Sequence, residues 1–169
     1  MKALILYLSL IASFSSLNAS ELDNSLSTIT NFHFVSEKLA SSGLIEFEKY
    51  NDIKTYGFKH VINLIPGDQA IERKKVESLG MSYEQIQVAW DEPTLDDFER
   101  FTALMKSYGK DKVYVHCEAN FRASTFVFLY RTTQLGINKA IANKDLSKIW
   151  KPSETWQGYI EKVQFSEEE

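Results

Sequence analysis

Between residues 32 and 165, short apolar runs alternate with longer stretches in which apolar positions recur every three or four residues. Residues 32–35, 60–64, 83–88 and 112–116 are short and carry most of their apolar content as Val, Ile, Phe and Tyr, which predicts strands. Residues 44–56, 68–79 and 94–108 have helical spacing, and each is followed by a glycine (Gly57, Gly80, Gly109), the residue expected just past a helix end. Thr94 is placed to cap the third of these, with Asp96 and Asp97 in the first turn, where the helix dipole favours acids. Residues 122–135, 137–148 and 153–163 predict a helical C-terminal half.

The run from Val113 to Val115 is apolar at successive positions, as in a strand covered on both faces. Strands and helices in alternation indicate an α/β fold: a central, mostly parallel sheet of about four to five strands flanked by helices. No repeat or Pro/Gly-rich linker interrupts residues 32–165, so they read as one domain. Residues 20–31 are polar and are expected to form a flexible, loosely attached segment. Residues 1–19 place Lys2 before an apolar run and then small polar residues, the pattern of a secretory signal peptide, with cleavage expected after Ala19. An uncleaved membrane anchor is the alternative.

Cleavage would leave about 150 residues, enough for one full core, in the periplasm or outside the cell and with no membrane association. The chain is mildly acidic, with a formal net charge of -4 and no long basic run. That balance excludes nucleic acid as the main ligand.

Export changes the reading of Cys117, the single cysteine. It has no intrachain partner for a disulfide, so it is either a small buried apolar residue or a reactive thiol. Its neighbours run His116-Cys-Glu-Ala-Asn-Phe-Arg-Ala-Ser124. If a strand ends at His116 and a helix begins near Arg122, the N–H groups of residues 118–123 can converge on one anion, helped by the positive helix end. The same field stabilises a thiolate; cysteines so placed titrate anywhere from roughly 3.5 to 7.5 instead of about 8.5. Arg122 adds a fork of donors matched to two phosphoryl oxygens. The loop has no glycine, and Asn120 is the residue best able to take a left-handed conformation. Ser124 could donate to the cysteine sulfur or assist a water, or it could bond back to the helix backbone. His116 and Cys117 are adjacent on a strand and point to opposite faces, which argues against a proton-transfer dyad. His33 and His60 lack metal-ligand spacing, so no zinc site is expected.

The loop resembles the signature of the cysteine-dependent protein tyrosine and dual-specificity phosphatases: His-Cys, five residues, Arg, then Ser or Thr. It is more closely similar to a bacterial phosphatase-like branch with H-C-x-A-N-x-R-x-S, an upstream V-I-N-L strand and a loop ending in Pro-Thr. Here these are His116 to Ser124, Val61 to Leu64 and Trp90-Asp-Glu-Pro-Thr94. The resemblance covers roughly residues 32–163. It implies a cysteine-phosphatase-like fold and hydrolysis of a phosphate monoester through a cysteinyl-phosphate, with no cofactor.

The resemblance also implies roles. Cys117 would be the nucleophile and Arg122 the clamp on the phosphoryl oxygens. Asp91 would be the acid for the leaving oxygen, with Glu92 second. His116, Glu118, Ala119, Asn120, Phe121 and Ser124 would line the substrate loop, with the Glu118 side chain turned outward. The partner would be a phosphorylated protein or a small phosphomonoester. Only four residues separate Cys117 from Arg122. That spacing also occurs in rhodanese-like sulfurtransferases, which leaves a Cys117 persulfide carrier as one alternative and a non-catalytic phosphate-binding module as another. Exposed tryptophans at Trp150 and Trp156 would be the surface sign of such a module.

Overall fold

The computed structural model describes residues 19–167. The expected signal segment lies outside them except for Ala19.

Five strands form one sheet: β1 (His33–Ser36), β2 (Leu39–Ser42), β3 (His60–Asn63), β4 (Ser82–Gln85) and β5 (Val113–His116), in the order β1-β2-β5-β3-β4. Only the β1–β2 edge pair is antiparallel; β2, β5, β3 and β4 run parallel, as the alternation of elements predicts. The helices among the described residues are α1 (Ala19–Ser27), α2 (Lys49–Thr55), α3 (Ala70–Ser78), α4 (Leu95–Tyr108), α5 (Phe121–Thr133), α6 (Lys139–Ile149) and α7 (Glu154–Ser166).

Every residue of the central strand β5 is buried. Alternation divides its side chains between two apolar clusters. Val113, Val115 and Cys117 pack with Phe98 and Phe101 of α4, Phe126 of α5 and Trp156 of α7, whereas Tyr114 packs with Leu26 of α1, Ile53 of α2 and Val76 of α3.

α4 shows how the local sequence sets an element. Thr94 accepts from the Asp97 N–H, and the Asp97 carboxylate accepts from the Thr94 N–H in return, so two otherwise unpaired helix-end donors are satisfied. Phe98, Phe101, Thr102 and Met105 form its buried stripe at spacings of three and four. α5, by contrast, is buried continuously from Arg122 to Tyr130, because it crosses the sheet and is covered by other helices.

Three segments differ from the pattern-based expectation. β2 has the sequence Leu-Ala-Ser-Ser, with no β-branched or aromatic residue, and nothing in it predicts a strand. It is one because all four residues are buried between β1 and β5, where small side chains let α5 approach. The helix expected over 44–56 begins only at Lys49; Leu44 N–H is committed to the Glu118 carbonyl at 2.9 Å, which holds the start of that stretch extended along the cysteine loop. Residues 20–31, polar in composition and expected to be loose, instead carry most of α1 and bury Leu22, Leu26 and Ile29. The segment is also tied down by polar contacts: Ser25 hydrogen bonds to Asp52, and Lys49 donates to the Ser25 carbonyl at 3.0 Å.

Candidate active site

The loop from Cys117 to Asn120 leaves the carboxyl end of β5, where α/β folds gather their ligands. Cys117 is 1% exposed and its N–H donates to the Ser42 carbonyl, so the start of the loop continues the sheet. Asn120 then takes the left-handed conformation expected of it, with φ 65° and ψ 4°, and turns the chain into α5.

Two carbonyls of the loop are tied to neighbouring segments. Glu118 O accepts from Leu44 N–H at 2.9 Å, and Ala119 O accepts from the Asn31 side-chain amide at 3.1 Å. The carbonyl and the following N–H of a trans peptide point in opposite directions, so fixing Glu118 O outward turns the Ala119 N–H toward the loop interior. The first intrahelical bond of α5 runs from Ser124 N–H to Asn120 O. The N–H groups of Phe121, Arg122 and Ala123 precede it and stand at the positive end of the helix.

Cys117, Glu118, Ala119, Phe121 and Arg122 line a cleft of about 290 Å³, and Trp90 forms its opposite wall. The Arg122 guanidinium lies 5.6 Å from the centre of the Trp90 ring. Trp90 is itself held from behind: its carbonyl accepts from the Trp156 indole N–H at 3.1 Å, and its ring packs against Phe121, Trp150 and Trp156. Arg122 is 5% exposed, and its Nε has no hydrogen-bond partner among the described residues. Among the described residues its Nη2 meets only the Glu118 carboxylate, at 3.4 Å. A buried cation with free donors, next to a cysteine and a ring of open N–H groups, is arranged to receive an anion.

The remaining expected residues are placed around this cleft, not in its lining. Asp91 and Glu92 are exposed on the loop that follows Trp90. Ser124 turns its hydroxyl back to the Phe121 carbonyl at 3.2 Å, the helix-bonding option for that residue. Asn120 is fully buried and donates its side-chain amide to the Asn31 carbonyl at 2.6 Å. Trp156 is also fully buried, so it does not contribute to an exposed aromatic patch.

His116 faces the other side of the sheet. Its Nε2 lies 2.6 Å from Oε1 of Glu72. Glu72 also accepts from Tyr50 at 2.5 Å and from Asn63 at 2.7 Å, and Asn63 reaches Tyr83 at 2.9 Å. Burial alone would raise the Glu72 carboxyl, but His116, Tyr50 and Asn63 together outweigh it and hold the group below its ordinary range. Burial, and then the Glu72 charge, pushes the Tyr50 hydroxyl far up. The Asn63 of the V-I-N-L strand is the hub, since its side-chain oxygen also accepts from Ile65 N–H at 2.6 Å. Trp90 belongs to a stretch that stands out in the sequence, but its role as a wall does not. Glu72 has no sequence signal beyond being an acid in a first helical turn.

No family model and no curated protein matches the chain. Among solved structures, a DUF442 phosphatase-like protein of Shewanella putrefaciens CN-32 is 32% identical, with a TM-score of 0.75 over 85% of this chain and 97% of that one. The chain belongs to the DUF442 phosphatase family. The same fold, at identities that speak for architecture alone, is found in two further structures. One is the core catalytic domain of the S. cerevisiae PP-IP phosphatase SIW14 in complex with citrate (14% identity, TM-score 0.68, 79% of this chain and 85% of that one). The other is a variant of P. aeruginosa TpbA in complex with phosphotyrosine (14% identity, TM-score 0.64, 82% and 91%). This DUF442 chain thus carries its short cysteine loop on a cysteine-phosphatase scaffold. Among its described residues, no group of three His, Cys, Asp or Glu side chains has metal-binding geometry, and no helix is long and apolar enough to cross a membrane.

Proposed function

We propose that the protein hydrolyses phosphate monoesters through a cysteinyl-phosphate intermediate. The observation that carries this reading is Arg122, a buried guanidinium with an unpartnered Nε lining the same cleft as Cys117. The phosphotyrosine bound to a TpbA variant of the same fold supports a phosphomonoester as the ligand.

In the first step the dianion sits between Arg122 and the N–H groups of Ala119 and of the first turn of α5. The Cys117 thiolate attacks phosphorus, and the P–O bond to the alcohol breaks as Asp91 gives that oxygen a proton. In the second step water attacks the cysteinyl-phosphate, the carboxylate of Asp91 takes the water's proton, and phosphate and thiolate are released. Phosphoryl transfer needs mainly positioning and charge stabilisation, which a fixed ring of donors supplies without a metal. Asp91 directly follows Trp90 and is exposed, so a turn of residues 91–92 about that fixed wall would bring the acid to the cleft. We also propose that residues 1–19 export the enzyme to the periplasm or beyond, which N-terminal sequencing of the mature protein tests.

The deciding experiment assays the mature protein and Cys117→Ser side by side with an aryl phosphate and with thiosulfate plus cyanide. Cysteine-dependent phosphate release supports the reading. Thiocyanate formation without phosphate release replaces it with sulfur transfer, and no turnover of either replaces it with a binding module.

A further inference from the structure

Glu118 directly follows the nucleophile, and its Oε2 lies 3.4 Å from Nη2 of Arg122. The pair is unequal: the Glu118 side chain is 61% exposed and that of Arg122 only 6%. The arginine has little water around it; among the described residues its Nε has no partner, and its one anionic contact stands in the wall of the cleft that both residues share with Cys117. The expectation that Glu118 turns outward is therefore met only in part, since the side chain reaches solvent while its carboxylate leans back on the arginine.

A phosphate dianion entering the cleft competes for the same guanidinium. Once it is bound, Glu118 has lost its counter-charge and faces additional negative charge at close range, which is unfavourable even for a hydrated carboxylate. The backbone of Glu118 cannot withdraw, because its carbonyl is fixed by Leu44 N–H and packs against Gly43. The exposed side chain is nevertheless free to turn to a cation outside the cleft.

We propose that Glu118 is a specificity-determining residue that selects phosphate monoesters carrying an ammonium or guanidinium group near the ester oxygen and disfavours those flanked by anions. This rests on the phosphate-monoester reading above. A substrate cation would replace the partner that Glu118 gives up when Arg122 turns to the phosphate.

The test compares kcat/KM at low salt for a phosphotyrosyl peptide with flanking lysines and the same peptide with flanking glutamates, on the wild type and on Glu118→Gln. An aminoalkyl phosphate and an uncharged alkyl phosphate of equal size form a second pair. The wild type should favour the cationic member about two- to fivefold, the range of an exposed ion pair, and the ratio should fall toward one in Glu118→Gln. Glu118→Lys should invert it. A Glu118-dependent ratio in the peptides, the small molecules or both supports the proposal and identifies the source of the substrate. Equal rates within both pairs, or a preference that survives Glu118→Gln, overturns it while measured turnover still upholds phosphatase chemistry. If no phosphate ester is turned over, including a plain aryl phosphate, both fall together.

Discussion

Asn120 and Asn31, far apart in the chain, are clasped beneath the cysteine loop. Asn120 donates its side-chain amide to the Asn31 carbonyl at 2.6 Å, and Asn31 donates its own to the carbonyl of Ala119. Both are in the left-handed region, with φ of 65° and 47°, and they are the only non-glycine residues there among those described. A turn of this kind usually relies on glycine for its conformational freedom; here an asparagine supplies the conformation and a second one locks it. Asn120→Ala should lose both, destabilising the fold by about 1–2 kcal/mol more than Asn120→Gly, which keeps only the conformation. Urea unfolding of the two variants measures the difference, and equal stabilities would remove the backbone from the account.

Gly43 makes the same region intolerant of bulk. A Cβ added there would stand 2.6 Å from the Glu118 carbonyl oxygen and 2.8 Å from Thr30 Cγ2, and neither atom is the end of a flexible chain. Gly43→Ala should therefore cost about 1–3 kcal/mol and lower kcat/KM on an aryl phosphate at temperatures where the variant is fully folded. Wild-type kinetics in a folded Gly43→Ala protein would show that the loop tolerates displacement.

Glu72 predicts an acid-sensitive fold. Its folded-state value is depressed below about 4.5, so its contribution to stability is complete above that pH and is lost as pH falls through the lower folded value. Glu72→Gln keeps the shape but not the charge, and should show a shallower loss of stability between pH 5 and about pH 3 than the wild type. Urea midpoints across that range give the two slopes, and parallel slopes would refute the prediction.

The chemical roles separate cleanly by variant. Arg122→Lys replaces a two-pronged donor by a point charge and should lower kcat/KM on the order of 10²-fold with the fold intact. Asp91→Asn should slow alkyl phosphates far more than p-nitrophenyl phosphate, because a good leaving group departs without a proton. A uniform effect on both substrates would take Asp91 out of proton transfer.

Much of this arrangement is legible in the residues themselves. The parallel sheet, the helix caps at Thr94 and Gly109 and the strand-loop-helix order around Cys117 follow from periodicity and turn chemistry, and all of them are local. The left-handed Asn120 follows from the lack of glycine in a loop that must turn. What is not legible depends on residues distant in sequence. β2 is a strand because of what covers it, residues 20–31 are docked by three apolar side chains in an otherwise polar segment, and Glu72 and Trp90 acquire partners only when α3 and α7 are in place.

The clasp closes a loop of 89 residues, so the donors around Cys117 cannot be in register until the edge hairpin and α1 have joined β5. Contacts of such separation are costly to form early in folding. On refolding, sheet signals should return first and vanadate binding later. A chain truncated just before Phe32 would then keep much of its tertiary structure yet hold its nucleophile in a slack loop, which makes catalytic competence a more sensitive readout of complete folding than any spectroscopic signal from the core.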